Sequence, residues 1–263
     1  MDLITSKDNL KIKYVRSLSS KKSRDQENSY VVEGIKFVRE AITEKANIKF
    51  VLFSESALDK NEAKAMENEL KKVDSEVIAC TDNVFDSVSD TINAQGVLAV
   101  IKKNDTDDIK LLKDFKFAVM CDRIQDPGNL GTIIRTADAF GPAAVIMNKG
   151  CVDQYNPKVV RASAGAIFRG NFIHGDDEEI IRGLYEQGFK IYSTVVESDF
   201  TFDDIEKSDK ICVVIGNEGQ GVSREIIDAS HMNITIKMSG RAESLNASIA
   251  AGISIYEIRK KLL

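Results

Sequence analysis

Three separated stretches carry side chains that could act together chemically: one around Arg135, one around Glu218, and one holding Ser244 and Asn246. Around Arg135, the residues Leu130, Ile133, Ile134, Ala137 and Phe140 recur at helical spacing and share one face. Arg135 points roughly the opposite way, toward solvent or a ligand, and its guanidinium fork suits phosphate and oxyanion oxygens. Glu218 sits in Gly216-Asn217-Glu218-Gly219-Gln220-Gly221, directly after the apolar run Val213-Val214-Ile215. The glycines let the backbone approach a ligand closely and permit positive φ. There is no Gly-Lys-Ser/Thr ending, and a carboxylate would repel phosphate, so this strand exit suits a ligand with positive charge or hydroxyls. Ser244 and Asn246 open a helix that reads as apolar nearly all round, through Leu245, Ala247, Ile249, Ala250, Ile253, Ile255 and Ile258. Such a helix is expected to be buried, so the two polar groups either need partners near a core or simply cap the helix.

The elements that must position these residues form an alternating pattern. Strands are predicted at 117–121, 143–148, 190–196, 211–215 and 233–237, and helices at 129–140, 157–168, 177–187, 223–229 and 243–262. Nearly continuous apolar strands separated by helices predict a parallel sheet covered on both faces, with ligands at the strand ends. The turn Asp126-Pro127-Gly128-Asn129 precedes the first helix, which Asn129 can cap and Gly141-Pro142 closes. The N-terminal part alternates more loosely. Helices are expected at 8–19, 34–45, 61–73 and 82–87, and strands at 30–33, 48–53, 76–80 and 97–101, a small α/β sandwich. The domains therefore read as 1–102 and 115–263, with a polar linker over 103–114.

Composition narrows the class. The 263 residues carry a net charge of −5, which argues against a protein that coats nucleic acid everywhere. Yet Lys7, Lys11, Lys13, Arg16, Lys21, Lys22 and Arg24 cluster against the single acid Asp8. A basic patch on an acidic body fits a selective polyanion reader. Cys80, Cys121, Cys151 and Cys212 lack CxxC spacing and read as reduced thiols of a cytoplasmic protein. His174 and His231 stand apart in polar contexts and suggest neither a metal site nor a catalytic triad. No apolar run reaches transmembrane length, and the first residues lack the basic and apolar regions of a signal peptide.

Taken together, Asn129-Leu130-Gly131 with Arg135-Thr136, Gly216 to Gly221, and Met238-Ser239-Gly240 with Ser244-Leu245-Asn246 resemble the motifs of the SpoU (TrmH) family of RNA ribose 2′-O-methyltransferases, in the SPOUT superfamily. Asn156 to Ala166 resembles a further family segment. Ile4-Thr5-Ser6, Asn9-Leu10-Lys11, Val32-Glu33-Gly34 and Gln95-Gly96-Val97 match its substrate-binding domain more weakly. The resemblance implies an α/β fold whose C-terminal domain is a parallel sheet tied in a trefoil knot, preceded by the small RNA-binding sandwich. It implies S-adenosylmethionine as methyl donor and a homodimer with active sites at its interface.

By the same resemblance Arg135 is the general base, Glu218 shapes the catalytic pocket, Ser244 and Asn246 position the ribose, and Asn129 orders the loop around Arg135. Because a guanidinium essentially never deprotonates, gripping phosphate and stabilising developing oxyanion charge is the role its chemistry favours. The family pattern places the donor on Gly216, Ile236 and Leu245, with Asn217, Met238 and Thr194 as additions. RNA contacts are expected from Lys11, Lys13, Lys21, Lys22 and Arg24, with Lys158 and Arg161 nearer the chemistry. The RNA expected is ribosomal, most readily the 23S species. The alternatives are a tRNA 2′-O-methyltransferase and a non-catalytic binder of ribosomal RNA. A Rossmann-type enzyme is disfavoured by the lack of GxGxxG after the first strand and of an acid ending the second.

Overall fold

The computed structural model describes residues 3–58, 65–66, 68–70, 75–91, 94–104 and 108–263. They form two compact units, Met1–Asn104 with Tyr155–Phe168, and Asp105–Gln154 with Arg169–Leu263. The expected single cut is thus corrected: Tyr155–Phe168 belongs with the N-terminal unit. Its Tyr155 ring lies 4.5 Å from that of Tyr30, and Val159 and Val160 are buried.

In the first unit, β1 (Leu3–Ile4), β2 (Ser29–Glu33), β3 (Ile48–Ser54), β4 (Glu76–Cys80) and β5 (Val97–Lys102) form a mixed sheet in the order β1-β4-β3-β5-β2. Ile12, Val15 and Leu18 pack from the helical side onto Phe50, Leu52, Ile78, Leu98 and Val100. Asn9 caps the Leu10–Ser17 helix by accepting from the Lys11 N–H. A further helix at Lys21–Gln26, capped by the Ser20 side chain accepting from the Ser23 N–H, is absent from the expected pattern. Most of the expected 61–73 helix lies outside the described residues, as do 105–107 of the expected linker. The rest of that linker is not structureless: Ile109–Asp114 is a 3-10 turn whose Leu112 is buried in the second core.

The second unit contains β6 (Phe117–Cys121), β7 (Ala144–Asn148), β8 (Asn171–Gly175), β9 (Lys190–Thr194), β10 (Ile211–Ile215) and β11 (Met232–Ile234), all parallel, in the order β11-β9-β10-β6-β7-β8. Every residue of β6, β7 and β10 is buried, as continuous apolar runs in a doubly covered sheet require. Edge strand β8 was missed because Asn171, His174 and Gly175 break its apolar run. The expected 157–168 helix is a short Pro157–Ala162 helix followed by a separate turn at Ala166–Phe168.

Two helices frame the strand ends. The Pro127–Ala139 helix starts two residues earlier than expected, and its cap is Asp126, not Asn129; the Asp126 carboxylate accepts from the Asn129 N–H at 2.8 Å. Gly141, at φ +104, ends it. Phe140 leaves the buried face: it is exposed and its ring meets Tyr256 at 5.8 Å. The Ala247–Arg259 helix packs against it and against β10. It is not buried all round, since Ile249, Ile253 and Tyr256 are exposed while Ala247, Ala251, Ser254, Ile255 and Ile258 face the core.

Candidate active site

Strand β10 delivers Gly216 to Gly221 at its C-terminal end, and this loop is built from its own polar groups. Asn217 and Gly221 exchange backbone hydrogen bonds at 3.0 and 2.9 Å, and the Asn217 side-chain oxygen accepts from the N–H groups of Gly219 and Gln220. The Asn217 amide donates to the Arg123 carbonyl at 2.8 Å. The loop closes on Gly216 so tightly that a Cβ there would stand 2.2 Å from the Val222 nitrogen and 2.3 Å from the Gly221 carbonyl carbon. Only glycine fits.

That closure presents Glu218 to the start of the Pro127–Ala139 helix. Its carboxylate accepts from the Asn129 side-chain amide at 3.0 Å, from the Asp126 N–H at 3.1 Å and from the Gln125 N–H at 3.3 Å. The Asn129 side-chain oxygen accepts in turn from the Asn246 side-chain amide at 2.9 Å. A hydrogen-bonded chain Glu218–Asn129–Asn246 therefore joins the three motifs. Burial works to raise the Glu218 carboxyl, but donation from Asn129, its own backbone, Asp126 and Gln125 outweighs it and holds the group below the usual carboxylate range. Asn246 also caps its helix, its oxygen accepting from the N–H groups of Ser248 and Ile249.

Beside this chain lies a cavity of about 410 Å³, a size that holds small-molecule ligands. All six residues expected to hold the donor, Thr194, Gly216, Asn217, Ile236, Met238 and Leu245, line it, together with Glu218 and Ser244. Thr194 spends its hydroxyl proton on the Val214 carbonyl at 2.8 Å. Ser244, at the edge of the cavity, and Asn246 are both exposed, correcting the expectation of polar groups near a core. Arg135 joins neither the cavity lining nor the hydrogen-bonded chain. It is exposed on the helix that carries Asn129 and, among the described residues, meets no acceptor.

Sequence reasoning missed the support beneath the glycine loop. Asp122, fully buried at the end of β6, accepts from Arg123 Nε, from the Asn148 amide and from the Ser223 N–H at 2.8, 2.7 and 2.6 Å. Arg123, in the left-handed region at φ +55, also donates to the Gln220 side chain and the Gly221 carbonyl. The available signal was a carboxylate directly following five apolar residues, which marks a charge at the edge of a core.

The expected RNA contacts lie in the first unit and divide. Lys21, Lys22 and Lys158 are exposed and, among the described residues, have no carboxylate partner. Lys11 pairs with Glu76, Lys13 with Asp8 at 3.0 Å, and Arg161 with Asp90 at 3.6 Å. Arg24 is corrected: it is buried, donating to the carbonyls of Leu18 and Ser19 at 2.9 and 2.8 Å, and so holds the helix junction.

Fold and site define an α/β ligand-binding domain with its pocket at the carboxyl ends of parallel strands. Residues 116–256 match the SpoU rRNA Methylase family, and the chain belongs to that family. Residues 9–99 match the MRM3-like substrate binding domain. The chain is 30% identical to the 23S rRNA (guanosine(2553)-2′-O)-methyltransferase RlmP of Bacillus subtilis, over 98% of this chain and 100% of that protein. Among solved structures it resembles the AdoMet-bound rRNA methyltransferase from Sinorhizobium meliloti, with TM-score 0.87 and 29% identity over 100% of this chain and 98% of the other. The SpoU methyltransferase AviRb from Streptomyces viridochromogenes, in complex with the cofactor AdoMet, gives TM-score 0.85 and 25% identity over 96% and 97% of the two chains.

Proposed function

We propose that this chain methylates a ribose 2′-hydroxyl of 23S ribosomal RNA with S-adenosylmethionine as methyl donor. One observation carries the reading: Glu218, the end of the Glu218–Asn129–Asn246 chain, lines a cavity together with every residue expected to hold that donor. The cavity suits it chemically. Ile215, Ile236 and Leu245 offer apolar wall to an adenine, and Glu218, held ionised, places negative charge beside a cation. When bound, the donor supplies an electrophilic methyl carbon on a positively charged sulfur. Arg135 grips the RNA phosphate and stabilises charge developing on the ribose oxygen, an interaction worth ~3–4 kcal/mol where one such donor has been removed elsewhere. Asn129 fixes Glu218 and Asn246 relative to one another, while Ser244 and Asn246 orient the ribose.

The same reading includes a trefoil knot and a homodimer. The return of the chain from edge strand β11 to pack Ala247–Arg259 on β10 supports the knot. Phe140, Ile249, Ile253 and Tyr256, exposed along the two framing helices, support a second copy covering that face. No helix among the described residues is long and apolar enough to cross a membrane, and the reading places the chain in the cytoplasm. Mapping 2′-O-methyl marks in total RNA with and without the protein tests the function. Loss of one mark in 23S RNA is expected; loss confined to a tRNA moves the substrate, and no change in any RNA leaves only a binder.

A further inference from the structure

The first unit holds a second cavity that methyl transfer does not use. It encloses about 120 Å³. This is less than the roughly 150 Å³ that encloses a benzene ring, so a six-membered ring can enter only by leaving one edge in the solvent to which the cavity opens, and two fused rings have no room. Val31, Phe37, Val88 and Val160 line it, and the first three keep part of their apolar surface open. The Phe37 ring offers the flat face on which an unstacked nucleobase can lie, and the valines add apolar contact beside it.

The edge of the cavity is polar in a way that matches a base. Glu33 accepts on Oε1 from the hydroxyls of Ser89 and Thr91, each at 2.5 Å, and on Oε2 from the Asp90 N–H at 2.9 Å. Oε2 retains acceptor capacity for an amine or ring N–H. At the rim stand two guanidinium groups, Arg16, which donates to Ser87 at 3.2 Å, and Arg161, 3.6 Å from Asp90 and one third exposed. Both are the forked donors that phosphates favour. Val160 and Arg161 come from Tyr155–Phe168, the segment that joins this unit from the middle of the chain, and they help to line the cavity.

We propose that this cavity binds a single unstacked pyrimidine of the RNA, with Arg16 and Arg161 holding its flanking phosphates. This rests on the reading of the chain as an RNA enzyme and adds a specificity site to it. Fluorescence anisotropy with the full chain and the single-stranded probes rU8, rC8 and rA8 tests it. The pyrimidine oligomers should bind about tenfold tighter than rA8, the order of one stacked base. Val88→Phe fills the cavity and should bring rU8 and rC8 down to the affinity of rA8 at an unchanged melting temperature. As a second measurement on the unaltered chain, a 4-thiouridine in rU8 should photocrosslink to peptides containing Phe37, Val88 or Arg161. Equal binding of the three oligomers, no binding of rU8 and rC8, a preference surviving Val88→Phe, or crosslinks confined to other peptides would overturn the proposal. Absence of methyl transfer to ribosomal RNA by the unaltered chain would instead count against the enzymatic reading, so the two failures are separable.

Discussion

Replacing Asp122 with asparagine tests whether the support under the glycine loop keeps the cavity proposed for the donor in shape. The carboxylate is fully buried and accepts four hydrogen bonds, from Arg123 Nε and Nη2 at 2.8 and 3.1 Å, the Asn148 amide at 2.7 Å and the Ser223 N–H at 2.6 Å. Asparagine keeps the volume but turns one acceptor into a donor facing donors, and Arg123 loses its counter-charge. Breaking a fully buried pair costs ~3–5 kcal/mol. The Arg123 side chain is 29% exposed, so water recovers part of this and the expected loss is about 2–3 kcal/mol. At roughly 2–4 °C per kcal/mol, the melting temperature should fall by about 4–12 °C. Because Arg123 also holds Gln220 and Gly221, donor affinity should fall about tenfold, ~1.4 kcal/mol, while turnover at saturating donor changes little. Calorimetric titration with S-adenosylmethionine and a thermal melt measure both. The pH dependence adds a sign. Burial raises the Asp122 carboxyl, but hydrogen bonds from Arg123, Asn148 and Ser223 and the Arg123 charge hold it below its ordinary value. Its contribution is therefore present above about pH 4 and is lost as pH falls through the lowered value, so the variant should show a flatter acid limb. Unchanged donor affinity together with an unchanged melt would refute the reasoning.

Arg135→Ala should leave the melting temperature within about 1 °C, since the side chain is exposed and without partners among the described residues, yet cut turnover by about 10²–10³ in a radiolabelled methyl-transfer assay. Gly216→Ala should abolish donor binding by calorimetry, because the added methyl meets backbone at 2.2 Å that cannot move without opening the loop. Lys21→Gln and Lys22→Gln should each lower the slope of log affinity for RNA against log salt by about 0.7, whereas Arg24→Gln should lower the melting temperature and leave that slope unchanged. Asn246→Asp keeps the helix cap but sets a carboxylate against the Asn129 oxygen, so turnover should fall at least tenfold with little loss of helicity by circular dichroism.

How much of the fold was legible in the sequence depends on the range over which each feature is encoded. The buried strands β6, β7 and β10 were visible because a doubly covered parallel strand writes itself as an unbroken apolar run. Strand β8 was not, because at the sheet edge Asn171 and His174 break the run that burial would otherwise demand. Arg24 misled for a related reason. Charge in a basic cluster reads as surface, and only the fold reveals that two carbonyls at the helix junction need its donors.

The site shows the same division more sharply. The family pattern leads to the expectation that Gly216, Ile236 and Leu245 hold the donor; the structure shows that these three residues line one cavity. Local neighbours suggest a helix cap for Asn129, and the family resemblance adds only that it orders the loop around Arg135. Its bonds instead reach Glu218 and Asn246, 89 and 117 residues away in the chain. Asp126 takes over the cap, which frees the Asn129 side chain to donate through its nitrogen to one motif and accept on its oxygen from another. An aspartate at 129 could accept from Asn246 but, ionised, could not donate to Glu218, and a serine is too short to span both. The amide is therefore required by the tertiary geometry, which no local period or capping preference carries.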